Sequence, residues 1–217
     1  MKQQNNKASS VKTDETFFAE ILESNITNWQ AQSWKWDAIP EFGSLVIATS
    51  DNRTLFGIIY DITTGPIDPI RQPVAYQKTQ EELLQEQPQI FEFLTTSFSC
   101  LSIGYQENNQ FFYNLPPQPP KMHTFVGNAT TEQYATCFSH EHFLHLIFNT
   151  TEQINREELL LAIIRHQLQH NVLTKKRLNK FIESFFMLNR NNYLQTKMFL
   201  PRLQKLLEST AGWQELA

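Results

Sequence analysis

Between Gly43 and Thr64 the chain reads GSLVIATS, then an Asp-Asn pair, then RTLFGIIYDITT. Two β-branched runs joined by a two-residue polar turn specify an antiparallel hairpin, because such side chains are stiff at χ1 and favour a pleated, half-buried surface. The second run ends at GPIDP, and QPVAYQ follows as a short extended segment. FEFLTTSFSCLSIGYQENNQFFYNL supplies two more strands about a polar ENN turn, and MHTFVGNAT a further one. One helix is inserted: in TQEELLQEQPQI, Thr79 and Glu82 have capping-box spacing, acids fill the first turn and Pro88 ends or bends it. Strand, turn and strand with one inserted helix is the pattern of a small closed β-barrel of about six strands, which places one β unit at residues 43–126.

The flanks read differently. Residues 1–12 are polar and are expected to be a disordered tail. Thr13 or Asp14 then caps ETFFAEILES, where Phe17, Phe18, Ile21 and Leu22 fall at helical spacing, which predicts a helix from Asp14 to Ser24. WQAQSWKW, with Trp29, Trp34 and Trp36, is either an edge strand or an aromatic loop, so 13–42 reads as a helix plus an aromatic segment. Beyond the β unit, CFSHEHFLHLIF is expected to be a last strand or buried segment. Three amphipathic helices come next: Asn155 with Glu158 opens REELLLAIIRHQLQH, Thr174 opens KKRLNKFIESFFMLN, and Asn191 or Asn192 opens YLQTKMFLPRLQKLLES, which Pro201 should kink or divide. Residues 127–217 are thus a mainly helical domain, and the fold class is α+β: a small closed barrel with a C-terminal helical domain.

Length allows one medium domain or two small ones, 217 residues in all. Two cysteines, Cys100 and Cys137, form neither a disulfide framework nor a CxxC pair, which points to a reducing, cytoplasmic setting. The opening MKQQNNKASSVKTDE has no apolar core of a signal peptide, and no run approaches the roughly 18 apolar residues of a membrane-spanning helix. Charge is divided unevenly. From Arg165 to Lys205 nine basic residues face one acid, Glu183, a surplus of eight, so with a net charge of -4 the remainder carries about -12.

Chemistry-bearing patterns are incomplete. SHEHFLH gathers His140, Glu141, His142 and His145, but a zinc-protease helix needs His at i and i+4, and position 144 is Leu. On a strand His140 and His142 would share a face and hold a metal only with a third ligand, such as His123 or His166. His166 and His170 have i, i+4 spacing but read as a solvated helix face. The six glycines form no P-loop and no GxGxxG fingerprint, GxSxG is absent, and the cysteines lie in apolar runs that bury them. No catalytic residue, metal ligand or cofactor is assigned, and the chain reads as a non-enzyme. The strongest binding signal is TKKRLNK, where Lys175, Lys176, Arg177 and Lys180 cluster; such charge suits phosphate or an acidic protein, and Tyr193, Phe185 and Phe186 are candidates for base stacking, with Phe185, Phe186 and Leu188 equally suited to a core face.

Residues 43–126 resemble the HAS barrel, the domain shared by HerA-type DNA-translocating ATPases and the N-terminal part of ATP-synthase α and β subunits. The likeness rests on Gly43 before VIATS, on FGIIYDI, the acidic EELL with its following QP, on IGY, and on the closing LPPQPP with His123 and FV. In HerA-like proteins the closing proline segment leads into a motor domain with Walker motifs, whereas here about 90 mostly helical residues without a P-loop follow. The resemblance implies a barrel used in side-by-side assembly, and no ATPase activity. On this reading LPPQPP is a stiff seam between an acidic β unit and a basic helical one. The chain is expected to be an adaptor or assembly factor for a protein partner or multi-subunit complex. The alternatives are a nucleic-acid-binding accessory factor, partnering a HerA-like ATPase, and a metal-dependent enzyme at His140, His142 and His145.

Overall fold

The computed structural model describes residues 17–50, 52–68, 70, 73–190 and 192–209, with the backbone alone at Tyr193 and Gln195. Seven strands, β1 (Phe17–Ser24), β2 (Asn28–Ser33), β3 (Leu45–Ser50), β4 (Arg53–Pro66), β5 (Leu94–Glu107), β6 (Gln110–Phe112) and β7 (Phe125–Asn128), form one antiparallel sheet. Its order is β2-β1-β7-β3-β4-β5-β6, and β2 also pairs with β5, which closes six strands into a ring and leaves β6 as an extra hairpin strand. Closure leaves the barrel no open sheet edge along the ring. The ENN turn lies between β5 and β6, with Asn108 at φ 50 and Asn109 at φ 66, the left-handed pair a tight hairpin requires.

The ring begins upstream of Gly43. Phe17–Ser24 is a strand, not the helix its apolar spacing predicts. The segment fits both periods, and alternation prevails because Ala19 and Ile21 point into the barrel while β2 and β7 supply backbone partners on both sides. The capping residues Thr13 and Asp14 lie outside the described residues. Nor is Asn28–Ser33 an edge: it bonds to β1 and β5, with Trp29, Ala31 and Ser33 buried in alternation. Trp34 and Trp36 leave the strand, Trp34 meeting Phe125 edge to face and Trp36 stacking on Phe91.

Leu115–Lys121, the proline stretch, joins β6 to β7 and so belongs to the barrel itself rather than to a seam between units. Pro116 and Pro120 are buried, and Ser24 Oγ donates to the Pro120 carbonyl at 2.7 Å, which straps the stretch to the end of β1. The helices begin only after β7: α2 (Thr131–Cys137), α3 (Phe143–Asn149), α4 (Arg156–Gln169), α5 (Lys175–Leu188) and α6 (Tyr193–Glu208), the last running through Pro201 as one helix. CFSHEHFLHLIF is a buried segment rather than a strand: after Cys137 ends α2, 138–142 turn the chain and α3 follows, with Phe143, Leu144 and Ile147 on one buried helical face. A further helix, α1 (Gln80–Glu86), occupies the β4–β5 connection, with both halves of the Thr79/Glu82 capping box formed and a 3₁₀ turn starting at Pro88. No described helix is long and apolar enough to cross a membrane.

Two cores meet at one wall. Ala19, Ile21, Trp29, Ala31, Val46, Ala48, Ile59, Phe98, Cys100 and Val126 fill the barrel. The intervening residues of β3, β4 and β5 (Leu45, Phe56, Ile58, Leu101, Ile103) face outward and join the helical core. LFGIIY is buried on both faces, which accounts for its continuous apolar run. Against this wall α3 packs on β5, Tyr134 of α2 accepts from the Leu45 N–H at 2.8 Å, and Ala162 of α4 lies against Gly43. α5 packs on α3 and α6 on α4 as a second layer.

Two glycines are required by close approach. Gly43 has φ 77, and a Cβ there would sit 2.4 Å from the Ala162 Cβ; at Gly57 a Cβ would meet Trp29 Cζ2 at 2.5 Å. The Gly57→Ala variant is expected to lose about 1–3 kcal/mol, because Trp29 has no free volume to yield into. Chemical denaturation followed by Trp fluorescence measures this; a loss under about 0.5 kcal/mol would show that the interior is loosely packed.

Candidate interaction surfaces

The basic cluster opens α5, whose N-cap Thr174 accepts from the Arg177 N–H. Lys175, Lys176 and Lys180 are exposed and form no ion pair among the described residues. Lys175 and Lys176 lie in the first turn of α5, where cations oppose the helix dipole. Arg177 differs: its Nη1 donates to the Val172 carbonyl at 2.7 Å, so the guanidinium serves the turn before α5. Elsewhere the basic half is partly neutralised from within, by Arg202 on Glu157 and Glu158 and by Arg165 4.0 Å from Glu41. Phe185 is buried and rings Phe199 at 4.5 Å, whereas Phe186 is exposed rather than in a core face; the Tyr193 side chain lies outside the description.

The histidines do not converge on a metal. His142 precedes α3 and His145 lies on it; His140 and His142 have ring centroids 5.7 Å apart beside Tyr113. His123 pairs with Glu20 at 2.5 Å instead, and among the described residues no three His, Cys, Asp or Glu side chains are placed to hold a metal ion. His166 is buried, not on a solvated face: its Nε2 donates to the Phe42 carbonyl at 3.1 Å, which ties α4 to the segment entering β3. His170 stacks on Tyr134 with centroids 3.9 Å apart. Cys100 and Cys137 are buried thiols whose pKa values burial raises well above the ordinary value, as their apolar surroundings predict.

The surface that sequence reading overlooked is the β4–β5 connection. β4 and β5 continue pairing past the ring to Pro66 and Leu94, forming an arm that carries residues 67–93. A groove of about 580 Å³ opens there, lined by Pro66, Ile67, Val74, Tyr76, Phe93 and Leu94 among others, every lining residue coming from 66–94. Ile70 is 89 % exposed and Val74 69 %, and Ile67, Leu84 and Phe93 are also exposed. Asp68 and Glu92 are among its lining residues, and in sequence 67–93 holds five acids, Asp68, Glu81, Glu82, Glu86 and Glu92, against two bases, Arg71 and Lys78. The available signal was isoleucine and valine in a proline-rich stretch with no periodicity to bury them. A second exposed apolar set lies on the outer helices, with Phe186 and Met187 on α5 and Leu194 and Met198 on α6.

The chain matches no protein-family model and no curated protein.

Burial, more than any other influence, lowers the His166 pKa below its ordinary value; Arg165 acts in the same sense, while the Phe42 carbonyl and Glu41 oppose it. The unfolded chain therefore takes up this proton first as pH falls, and stability present above about 6.5 declines as pH drops through the lower folded value. Denaturation midpoints between pH 8 and 5 should fall in the natural chain, with this component missing in His166→Gln; identical pH profiles would contradict a buried neutral imidazole.

Proposed function

We propose that the chain carries a HAS-type barrel and acts as a non-enzymatic adaptor or assembly factor. The observation that carries this reading is the concentration of large exposed apolar side chains, Ile67, Ile70, Val74 and Phe93, on an arm projecting from an otherwise closed barrel. Clustered apolar exposure of this kind marks binding surfaces for other proteins, and a two-stranded arm on a packed barrel presents it rigidly. Trp29 and Phe98 fill the barrel interior with side chains, as small barrels do when they serve as scaffolds. The resemblance of residues 43–126 to HAS barrels supports the same role, since those barrels assemble proteins while a separate domain performs chemistry.

A second reading, nucleic-acid binding, is favoured by the unpaired Lys175, Lys176 and Lys180 at the start of α5. The two are separated by one pair of variants. Tagged protein isolated under gentle lysis should retain a protein partner, and Ile70→Asp with Val74→Asp should reduce its recovery tenfold or more. Charge reversal at the three lysines should leave that recovery unchanged. If instead oligonucleotide binding, falling steeply between 50 and 200 mM salt and abolished by the lysine reversals, accounts for everything recovered, the adaptor reading fails.

A further inference from the structure

Two exposed apolar surfaces of this chain carry opposite charge. The β4–β5 arm bears five acids against two bases in residues 67–93. From Lys175 to Lys205 the outer helices bear Lys175, Lys176, Lys180, Arg190, Lys197 and Lys205 against Glu183, besides Arg177, which bonds to Val172, and Arg202, which pairs with Glu157 and Glu158. Each set mixes charge with apolar contact area: Ile67, Ile70, Val74 and Phe93 on the arm, Phe186, Met187, Leu194 and Met198 on α5 and α6. Within one molecule the arm groove is lined only by residues of 66–94, so the helices do not cover it. The helices pack inward on α3 and α4 and leave Met187 66 %, Leu194 66 % and Met198 60 % exposed.

We propose that the apolar, acidic β4–β5 arm of one molecule docks on the basic outer helices α5 and α6 of a second copy. This rests on the adaptor reading and names one occupant for its principal surface. Desolvation of the apolar side chains supplies the attraction, and the opposite charges select orientation and speed encounter, since like surfaces brought together would repel. Glu92 and Glu81 on the arm, and Lys180, Arg190 and Lys197 on the helices, are exposed and engaged in no ion pair among the described residues, so they remain to face a partner. Four exposed apolar residues on each side give the contact a core that a purely electrostatic encounter lacks.

The test is a charge exchange followed by sedimentation velocity. One variant carries Glu81→Lys and Glu92→Lys, the other Lys176→Glu, Lys180→Glu, Arg190→Glu and Lys197→Glu, which turns the excess on the helices negative; all six positions are exposed, and far-UV circular dichroism verifies folding. The natural chain should associate with rising concentration, more weakly at high salt. Each variant alone should remain monomeric, and an equimolar mixture should associate again, because the reversed arm meets reversed helices. A misfolded variant cannot restore association on mixing, so recovery controls for folding. A natural chain that is monomeric throughout, or an arm variant that associates like the natural chain, overturns the proposal. Monomeric chain that still captures a partner dependent on Ile70 and Val74 overturns self-docking and leaves the adaptor reading intact; self-association without any such capture does the reverse.

Discussion

The β3–β4–β5 wall is buried on both faces, and everything else in the structure is arranged around that fact. Leu45, Phe56, Ile58, Leu101 and Ile103 would form an exposed apolar sheet face if the barrel stood alone. Covering it requires α2, α3 and α4, and covering those requires α5 and α6. Close contacts make the junction specific: Gly43 admits Ala162, the Leu45 N–H finds Tyr134, and His166 reaches the Phe42 carbonyl. Tyr134 stays neutral in this role, its pKa pushed up to about 12, first by burial. Barrel and helices therefore share a core rather than meeting across a linker.

A shared core has a functional consequence. Surfaces on the β4–β5 arm and on the outer helices are held on one packed body, so a partner on one is presented at a fixed place relative to a partner on the other. Among the described residues the buried cysteines are held as thiols, His166 ties α4 to the Phe42 carbonyl and His123 pairs with Glu20.

Much of this architecture was legible. The hairpin of β3 and β4 followed from β-branched runs, α1 from Thr79 and Glu82, the β5–β6 turn from its asparagines, and α4 and α5 from their caps and apolar periods. The failures have physical causes. FFAEILES carries both helical and alternating periods, and only the pairing of β1 with β2 and β7 decides between them. MHTFVGNAT reads as a strand of the β unit while LPPQPP before it reads as a seam; β7, set between β1 and β3, puts the stretch inside the barrel. For α2, Thr130 and Gln133 form a complete capping box that was readable and passed over. Which apolar residues of LFGIIY face inward could not be read at all, because a strand buried on both sides loses its alternation. The arm was missed for the opposite reason, since exposed apolar residues leave no periodic trace.

The central physical claim is that barrel and helices are one cooperative unit. Native-state hydrogen exchange across a denaturant series addresses it directly, by comparing the amides of Phe56 and Ile58 in β4 with those of Ile163 and Ile164 in α4. The shared wall predicts that all four converge on the same opening free energy and the same denaturant dependence. A separate, lower plateau for α4 while β4 remains protected would show that the helices open independently, and would contradict the account.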